Sequence, residues 1–282
     1  MKPPRLSRTA EEKPSPLAAW CARVAVFSAA LAFSALFLHR LFSIPTPVAL
    51  NLLKLSIFGG LVSLALGALA TSDIWRNASR GVSRVVFGGL VAIAIVGWPL
   101  ASLPTIRALP EINDVTTDTQ APPQFAALAA MRPPGANRAD YPGEVFAAPQ
   151  RQAYPDLKPL LINRSVAEAY DVSVDAVSRL GMTSVSEIPP GDEAPATGLI
   201  EAVDRTMIWG FYDDIAIRVV GNQLTAQVDV RSASRYGRHD LGRNATRLRE
   251  ILAEIVSRLE ATVTGPRTSR AAPRSKESEQ QR

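Results

Sequence analysis

Residues 214–231 read DIAIRVVGNQLTAQVDVR and contain the clearest strand pair in the chain. Apolar side chains alternate with polar ones before and after Gly221-Asn222, which predicts a β-hairpin with these two residues as its turn. In the register that follows, Ile217 faces Ala226. The alternation predicts an antiparallel sheet with one apolar face and one face exposed to water.

The charged residues of this hairpin and its entry are predicted to form structural ion pairs. Asp213 and Asp214 are neighbours on one strand, so their side chains point to opposite faces and cannot act together as a general acid and base. The register places Asp214 opposite Asp229, a like-charge pair that requires a nearby arginine such as Arg231. For Asp213 and Asp214 a structural ion pair is preferred over a metal ligand. The candidates for structural ion pairs are Asp213, Asp214, Arg218 and Asp229.

Two amphipathic helices are predicted to cover the apolar face of the sheet. The first begins after its cap Ser165 and ends at Gly181. The second carries one wide apolar stripe, formed by Leu248, Ile251, Leu252, Ile255, Val256 and Leu259. With further strands at 182–188 and 198–208, the pattern predicts an α+β domain over residues 155–263, in which an antiparallel β-sheet is covered on one face by two helices.

The segment that precedes this domain, residues 104–154, is rich in Pro, Asp and Thr and has no sustained helical or strand period. It is predicted to be an extended linker with a possible short helix at 125–131. The polar sequence TGPRTSRAAPRSKESEQQR, residues 264–282, cannot bury a core and is predicted to be a disordered tail.

Three apolar runs, at residues 20–42, 48–70 and 85–103, are each long enough for a helix that crosses a bilayer core, which requires about 20 residues. None contains a carboxylate, which disfavours transport of ions or protons. The glycine pairs at 59–60 and 88–89 are assigned to close helix packing. The sequence therefore predicts a transmembrane region over residues 20–103, after a cytoplasmic N-terminal tail of residues 1–19.

Basic residues predict the orientation of these spans. They are concentrated in the N-terminal tail and in the second interhelical loop, where Arg76, Arg80 and Arg84 lie, and such residues favour the cytoplasmic side. Three crossings then place the C-terminal domain outside the cytoplasm. In a Gram-negative bacterium, the chain is accordingly predicted to be a multi-pass protein of the inner membrane with a periplasmic domain.

The composition excludes several classes of site. The net charge of +5 is the difference between 31 Lys and Arg residues and 26 Asp and Glu residues. The basic residues are scattered and not interleaved with aromatic residues, so a nucleic-acid partner is not indicated. Cys21 is the only cysteine, and His39 and His239 are the only histidines. An internal disulfide, a thiolate metal cluster and a multi-histidine metal centre are therefore excluded. Neither a metal nor a cofactor is predicted.

The polar segment RSASRYGRHDLGRN, residues 231–244, connects the last strand to the last helix and has three interpretations. As a structural corner, it supplies Asp240 as the N-cap of the helix and Asn244 as a buried amide that needs hydrogen-bond partners. As an anion site, it combines a helix N terminus with arginine donors. Catalysis is the third. The candidates for binding an anion or a partner are Arg231, Ser232, Ser234, Arg235, Arg238, Asp240 and Asn244, with Arg243 as a further donor.

The run RSASRYGRHDLGRNATRLR, preceded by GFYDDIAIRV, resembles the signature of the domain of unknown function 1499 family, a bacterial and plastid group. INDVTTDTQAPPQF and AYPDLKPL resemble further blocks of its membrane-anchored proteobacterial members, so the similarity extends over residues 109–259. Many members carry an Asn-Cys-Val-Ser-Ser type segment ahead of the domain, and this chain has no cysteine there. The resemblance implies the domain without an activity and makes Arg231, Arg235, Asp240 and Asn244 the positions to test.

These observations predict an envelope binding or scaffolding module. Its domain is expected to bind an anionic group of a lipid headgroup, a glycan or a partner protein of the envelope. The lipid bilayer is the expected partner of the three apolar spans. The alternative is an envelope hydrolase that uses Asp213, Asp240 or His239. A purely structural role is the third hypothesis.

Overall fold

The computed structural model describes residues 13–193 and 195–264, with only the backbone described for 262–264. The first helix begins at Pro16, within the segment predicted to be an N-terminal tail. The remainder of that tail up to residue 12, and the tail beyond Thr264 that is predicted to be disordered, lie outside the described residues.

Three long helices form the N-terminal part of the protein: α1 (Pro16–Phe42), α2 (Thr46–Asn77) and α3 (Val82–Ala101). All three are long and apolar enough to cross a membrane, as the sequence predicts. A short helix, α4 (Leu103–Ala108), follows α3. At Gly88 of α3, an added Cβ atom would lie only 2.7 Å from Sγ of Cys21 in α1, so this glycine permits the close approach of the two helices.

The rest of the chain is a mixed α+β domain, which confirms the predicted fold class. Its strands are β1 (Asp114–Thr116), β2 (Leu160–Ile162), β3 (Thr183–Ile188), β4 (Ala196–Arg205), β5 (Tyr212–Gly221) and β6 (Ala226–Ser234). Its helices are α5 (Ala127–Met131), α6 (Glu144–Ala153), α7 (Val166–Arg179) and α8 (Arg243–Thr264). The strands pair antiparallel in the order β1-β6-β5-β4-β3, and β2 pairs with β6 on the same edge as β1.

The helices α7 and α8 cover one face of the sheet. Ile215 and Ile217 of β5 are fully buried in the same cluster as Leu248 and Ile251 of α8. Burying an aliphatic side chain of this size contributes about 1.5–3 kcal/mol, so these contacts hold the helices on the sheet. As predicted, α7 begins at the cap Ser165, whose hydroxyl accepts a hydrogen bond from the amide of Glu168.

The turn of the β5–β6 hairpin is longer than predicted. Gly221 pairs with Ala226, so four residues separate the strands. The side-chain oxygen of Asn222 accepts hydrogen bonds from the amides of Leu224 and Thr225, at 2.8 and 3.0 Å, and this Asx arrangement holds the turn. Leu224, which the sequence assigned to the apolar face, is consequently 77% exposed.

The longer turn shifts the register of the two strands. Ile217 pairs with Val230 instead of Ala226, and Asp214 lies opposite Ala233 instead of Asp229. The predicted register is therefore wrong. Because the shift is even, each side chain that remains in a strand keeps the predicted face of the sheet.

The segment 104–154 is part of the folded domain, so the prediction of an extended linker is wrong. It contains β1, α5 and α6, and it covers the second face of the sheet, where Phe125 and Leu128 pack against Ala216 and Ala233. Its apolar residues contact distant parts of the chain and lie in short elements, which explains why they show no period. The face that was expected to be exposed to water is covered. Of its charged residues, Asp214, Asp229 and Arg231 are buried and Arg218 is half-buried.

The two edges of the sheet differ in what pairs with their outermost strands. Along the outer edge of β6 lie the short strands β1 and β2. Gln150 of α6 then pairs with β1 as a strand residue does, because its side-chain amide accepts from the Thr116 backbone amide and donates to the Thr116 carbonyl oxygen. At the opposite edge, β3 pairs with β4 with an irregularity between Ser184 and Ser186.

The loop between β4 and β5 contacts the C-terminal end of α1. Nδ1 of His39 lies 2.8 Å from the carbonyl oxygen of Trp209, and Nε2 lies 3.0 Å from the hydroxyl of Thr46. Arg205 donates from Nη2 to the carbonyl oxygens of His39 and Arg40 at the C-terminal end of α1. A cation is favourable there because helix carbonyl dipoles point toward it. The α+β domain is thus attached directly to the C-terminal end of α1, and His39 also contacts the start of α2.

Candidate functional site

The polar corner at residues 231–244 folds around the N terminus of α8. Oδ1 of Asp240 accepts from the amide of Gly242 at 2.8 Å, and Oδ2 accepts from the amide of Asn244 at 2.9 Å, so Asp240 caps the helix as predicted. The amide of Arg243 donates to the Asp240 carbonyl oxygen. Burial raises the pKa of Asp240 even though the two amide donors lower it. These first helix amides have acceptors within the chain, so an external anion is not needed there.

Asn244 joins the helix to the end of β6. Its Oδ1 accepts from the hydroxyl of Ser232 and from Nη1 of Arg247, both at 2.8 Å. Its Nδ2 donates to the carbonyl oxygen of Asn113 and to the hydroxyl of Ser234. Ser232, Ser234 and Asn244, predicted as binding candidates, therefore hydrogen-bond to one another within the domain.

Arg247 of α8 forms a buried ion pair on the helix-covered face of the sheet. Its Nη2 lies 2.7 Å from Oδ2 of Asp213 and 2.6 Å from Oδ2 of Asp204. Burial alone lowers the pKa of Arg247, but the two carboxylates raise it above its usual value. Asp213 thus has a structural partner on the face opposite to that of Asp214.

The residues of the hydrolase alternative lie near one another, since Asp240 interacts electrostatically with His239 and Asp213, but each has a different hydrogen-bond partner. Asp213 pairs with Arg247, and the Asp240 carboxylate accepts from backbone amides. His239 accepts at Nδ1 from the amide of Leu241 at 2.9 Å, and its Nε2 lies 3.3 Å from the carbonyl oxygen of Leu109. In the described structure, His239 has no hydrogen bond to either aspartate, so the arrangement required for an activated nucleophile is not formed.

Two guanidinium groups share the carboxylate of Asp214 on the other face of the sheet. Arg132 donates from Nε to Oδ2 at 2.7 Å, and Arg235 donates from Nε to Oδ1 at 2.8 Å. The Asp214 side chain is fully buried, and those of Arg132 and Arg235 are 6% and 10% exposed. Within residues 13–193 and 195–264, Asp214 is the only carboxylate paired with either arginine. We call these three residues the Asp214 cluster; it holds one positive charge in excess.

A second buried pair lies beside this cluster. Arg231 donates from Nε and Nη2 to the two carboxylate oxygens of Asp114, at 3.0 and 2.7 Å, and its guanidinium lies 4.3 Å from the centre of the Phe125 ring. Burial raises the pKa of Asp114, and Arg231 lowers it in part. The expectation that Arg231 pairs with Asp214 or Asp229 is wrong because β1, which carries Asp114, lies next to β6.

Asp229 has a different arginine as its partner. Arg218 lies opposite Asp229 on the neighbouring strand, and its Nη2 is 2.7 Å from Oδ2 of Asp229 and 3.1 Å from Oδ2 of Asp118. Four residues were predicted to form ion pairs: Asp213, Asp214, Arg218 and Asp229. Each of them has an ion-pair partner in the structure.

A cavity of about 580 Å³ opens beside the two buried pairs, and its walls include Asp114, Arg132, Asn137, Tyr141 and Ser234. In the described part of the chain, Nη2 of Arg132 and the hydroxyl of Tyr141 are buried without a hydrogen-bond partner. Burial, together with the nearby charge of Asp114, raises the pKa of Tyr141, so its hydroxyl stays protonated. Arg132 and Tyr141 therefore each carry an unsatisfied donor beside the cavity that they line.

The cavity and the Asp214 cluster use some of the predicted binding residues and not others. Ser234 lines the cavity, while Arg235 belongs to the cluster. Arg238 is 87% exposed and pairs with Glu111, and Arg243 is exposed. Sequence reasoning missed Arg132, Asp114 and Tyr141, all in the segment assigned to a linker. The signal available there was the presence of Ile112, Val115, Phe125 and Leu128 among polar residues, more apolar content than a solvated linker requires.

The Asp214 cluster lies toward the end of the sheet that contacts the membrane helices. The ring of Tyr212 is 5.5 Å from the guanidinium of Arg235 and 5.1 Å from that of Arg205. Arg205 in turn donates to carbonyl oxygens at the end of α1. One aromatic side chain therefore separates the cluster from the residue that attaches the domain to α1.

Together these features define a class of protein: an α+β domain with buried ion pairs that is attached to three apolar helices. Residues 114–255, half of the chain, match the family described as Protein of unknown function (DUF1499), and the chain belongs to this family, as the resemblance predicted. No curated protein and no solved structure matches the chain significantly. The matched range begins with β1 and ends within α8, so it contains the whole Asp214 cluster and all residues that line the cavity beside it except Asn113.

Proposed function

We propose that this protein is a membrane-anchored binding module of the bacterial envelope whose domain binds an anionic group in the cavity beside Arg132. The observation that carries the proposal is the sharing of one buried carboxylate, Asp214, by two buried guanidinium groups. A buried charge without a counter-charge costs several kcal/mol, so a ligand that supplies the missing negative charge gains affinity from this arrangement.

The chemistry of the cavity favours a carboxylate or a phosphate as the bound group. Arg132 offers Nη2, and Tyr141 offers a protonated hydroxyl, so both are donors suited to an anionic oxygen. Asn137 holds the adjacent loop in place, because its Nδ2 donates to the carbonyl oxygens of Ser234 and Gly237. The position of the Asp214 cluster near Arg205 and the end of α1 is consistent with an anion at the membrane surface.

The site can be probed by measuring Tm in the presence of inorganic phosphate. Acetate tests a carboxylate in the same way, and chloride at equal ionic strength is the reference. For the full-length protein in detergent, phosphate at ten times its Kd is expected to stabilise the fold by about 1.4 kcal/mol. For a domain of this size, this corresponds to a rise in Tm of about 3–6 °C. The anion that gives the larger rise identifies the class of the ligand.

The variant Arg132→Gln is expected to lose this rise in Tm. The matched control is Arg179→Gln, which removes an arginine that pairs with Asp175 on the surface of α7, and it should respond as the wild type does. An equal response of Arg132→Gln and wild type, or no response relative to chloride in the wild type, would contradict the proposal.

The envelope location rests on the distribution of basic residues around the spans. Arg76, Arg80 and Arg84 lie at or beside the connection between α2 and α3, which favours the cytoplasmic side for this loop and the opposite side for the domain. A reporter enzyme that is active only outside the cytoplasm, fused after Leu259, is expected to be active in whole cells. Activity restricted to a cytoplasmic reporter at the same position would reverse the orientation.

A further inference from the structure

The β4–β5 loop, TMIWGF at residues 206–211, exposes apolar side chains where the domain contacts the membrane helices. Met207 is 85% exposed and Ile208 is 55% exposed. The contact of His39 with the Trp209 carbonyl oxygen holds this loop against the end of α1. Large apolar side chains at the level where a membrane span ends are stabilised by the bilayer rather than by water. The loop therefore lies at the membrane interface.

An apolar cavity of about 460 Å³ lies between this loop and the three long helices. Its roof includes Trp209 and Phe211, and its walls include Ile57 of α2 and Trp98 of α3. Apart from Ser102, the lining side chains are aliphatic, aromatic or proline. Water has few partners in such a cavity, so an apolar occupant is favoured.

The cavity extends over the depth of one membrane leaflet. Ile57 lies about 16 Å along α2 from Thr46, and Ala32 lies about 15 Å along α1 from Phe42, at a rise of 1.5 Å per residue. Half of a bilayer core is about 15 Å thick. A lipid acyl chain anchored at the interface has this reach and is the apolar molecule that surrounds the helices.

We propose that this cavity binds one acyl chain of a phospholipid, which Trp209 and Phe211 cover from the domain side. The side chain of Arg40 passes beside the same loop, since an added Cβ atom on Gly210 would lie 3.1 Å from its Cδ. A guanidinium at this level is suited to a lipid phosphate. The cavity shares no lining residue with the one beside Arg132, so this site is independent of the proposed anion site.

Quenching of Trp209 fluorescence by brominated lipid tests the proposal. The full-length protein, with Trp20, Trp75 and Trp98 replaced by Phe, is reconstituted into vesicles of a phospholipid brominated in the middle of its acyl chains. We expect Trp209 to emit much less light there than in vesicles of the same lipid without bromine.

Filling the cavity is expected to reverse this loss. In the same single-tryptophan background, Ala94→Phe places a ring in the cavity and should restore most of the Trp209 emission. Ala32→Leu is a second, smaller filling variant. The matched control Ala68→Phe places the same ring on an exposed position of α2 outside the cavity and should leave the quenching unchanged.

Two results would overturn the proposal. If Ala94→Phe and Ala32→Leu are both quenched as strongly as the unfilled protein, Trp209 senses only the surrounding bilayer. Protection of Trp209 in the unfilled protein, whether by a second copy or by another part of the chain, would mean that no acyl chain reaches the cavity. A protein that retains only Trp20, which is 55% exposed on α1, reports whether the filled variants insert normally.

Discussion

Replacing Asp214 with Asn is expected to lower the free energy of unfolding by about 3–5 kcal/mol, because it removes one partner of a buried ion pair. The substitution leaves Arg132 and Arg235 next to each other without the carboxylate that lies between them. An asparagine of the same shape cannot supply the charge and presents one oxygen in place of two. Denaturant titration of the full-length protein in detergent, followed by circular dichroism, measures the loss.

Two further variants separate this electrostatic effect from general sensitivity to substitution. Arg132→Met leaves Asp214 paired one to one with Arg235, so its loss should be smaller than that of Asp214→Asn. Asp156→Asn removes an exposed carboxylate that pairs with Arg249, and a change of at most about 1 kcal/mol is expected. A stability of Asp214→Asn close to that of Asp156→Asn would show that Asp214 does not hold the two arginines together.

The second large effect is expected for Arg231→Met, which should also lower the free energy of unfolding by about 3–5 kcal/mol. Arg231 is fully buried and makes two hydrogen bonds to Asp114 and two to the carbonyl oxygens of Pro123 and Ala139. Its removal leaves a buried carboxylate without a cation and two carbonyl oxygens without this donor. The same denaturant titration measures this loss. The control is Arg249→Met, which removes the arginine of the exposed pair with Asp156 and should cost much less stability.

Adding Asp114→Asn to Arg231→Met distinguishes the buried charge from the lost packing. The second substitution removes the unpaired negative charge, so the double variant should recover part of the stability that the single variant loses. If the double variant is no more stable than Arg231→Met, the cost lies in the loss of hydrogen bonds and of the contact with Phe125 rather than in the charge of Asp114.

The faces of the β5–β6 hairpin could be predicted from the sequence, but the pairing of its strands could not. Alternation fixes which side chains share a face, and Ile215 and Ile217 lie against the helices as expected. The register depends on the turn, and Gly221-Asn222 matches a two-residue turn well. The four-residue turn forms because Asn222 bonds to two later amides, a local alternative that alternation does not reveal.

The candidate site was predictable in part for a related reason. Asp214 and Arg235 were both singled out from the sequence, and they lie in one cluster in the structure. Arg132 lies 82 positions before Asp214, in a segment whose apolar residues follow no period. Local patterns carry no information on such a distant contact, so the excess charge and the cavity emerge only when segment 104–154 folds over the sheet.

The treatment of the sheet edges bears on how copies of this domain behave at high concentration. An exposed strand offers unpaired amides and carbonyl groups to another polypeptide, which is a common route to aggregation. At the β1 edge, the side chain of Gln150 occupies the backbone amide and carbonyl group of Thr116. At the β3 edge, the irregularity between Ser184 and Ser186 interrupts the regular hydrogen-bonding pattern of the strand. A domain with these edges resists unintended intermolecular sheet formation at high concentration even though its core is rich in β-structure.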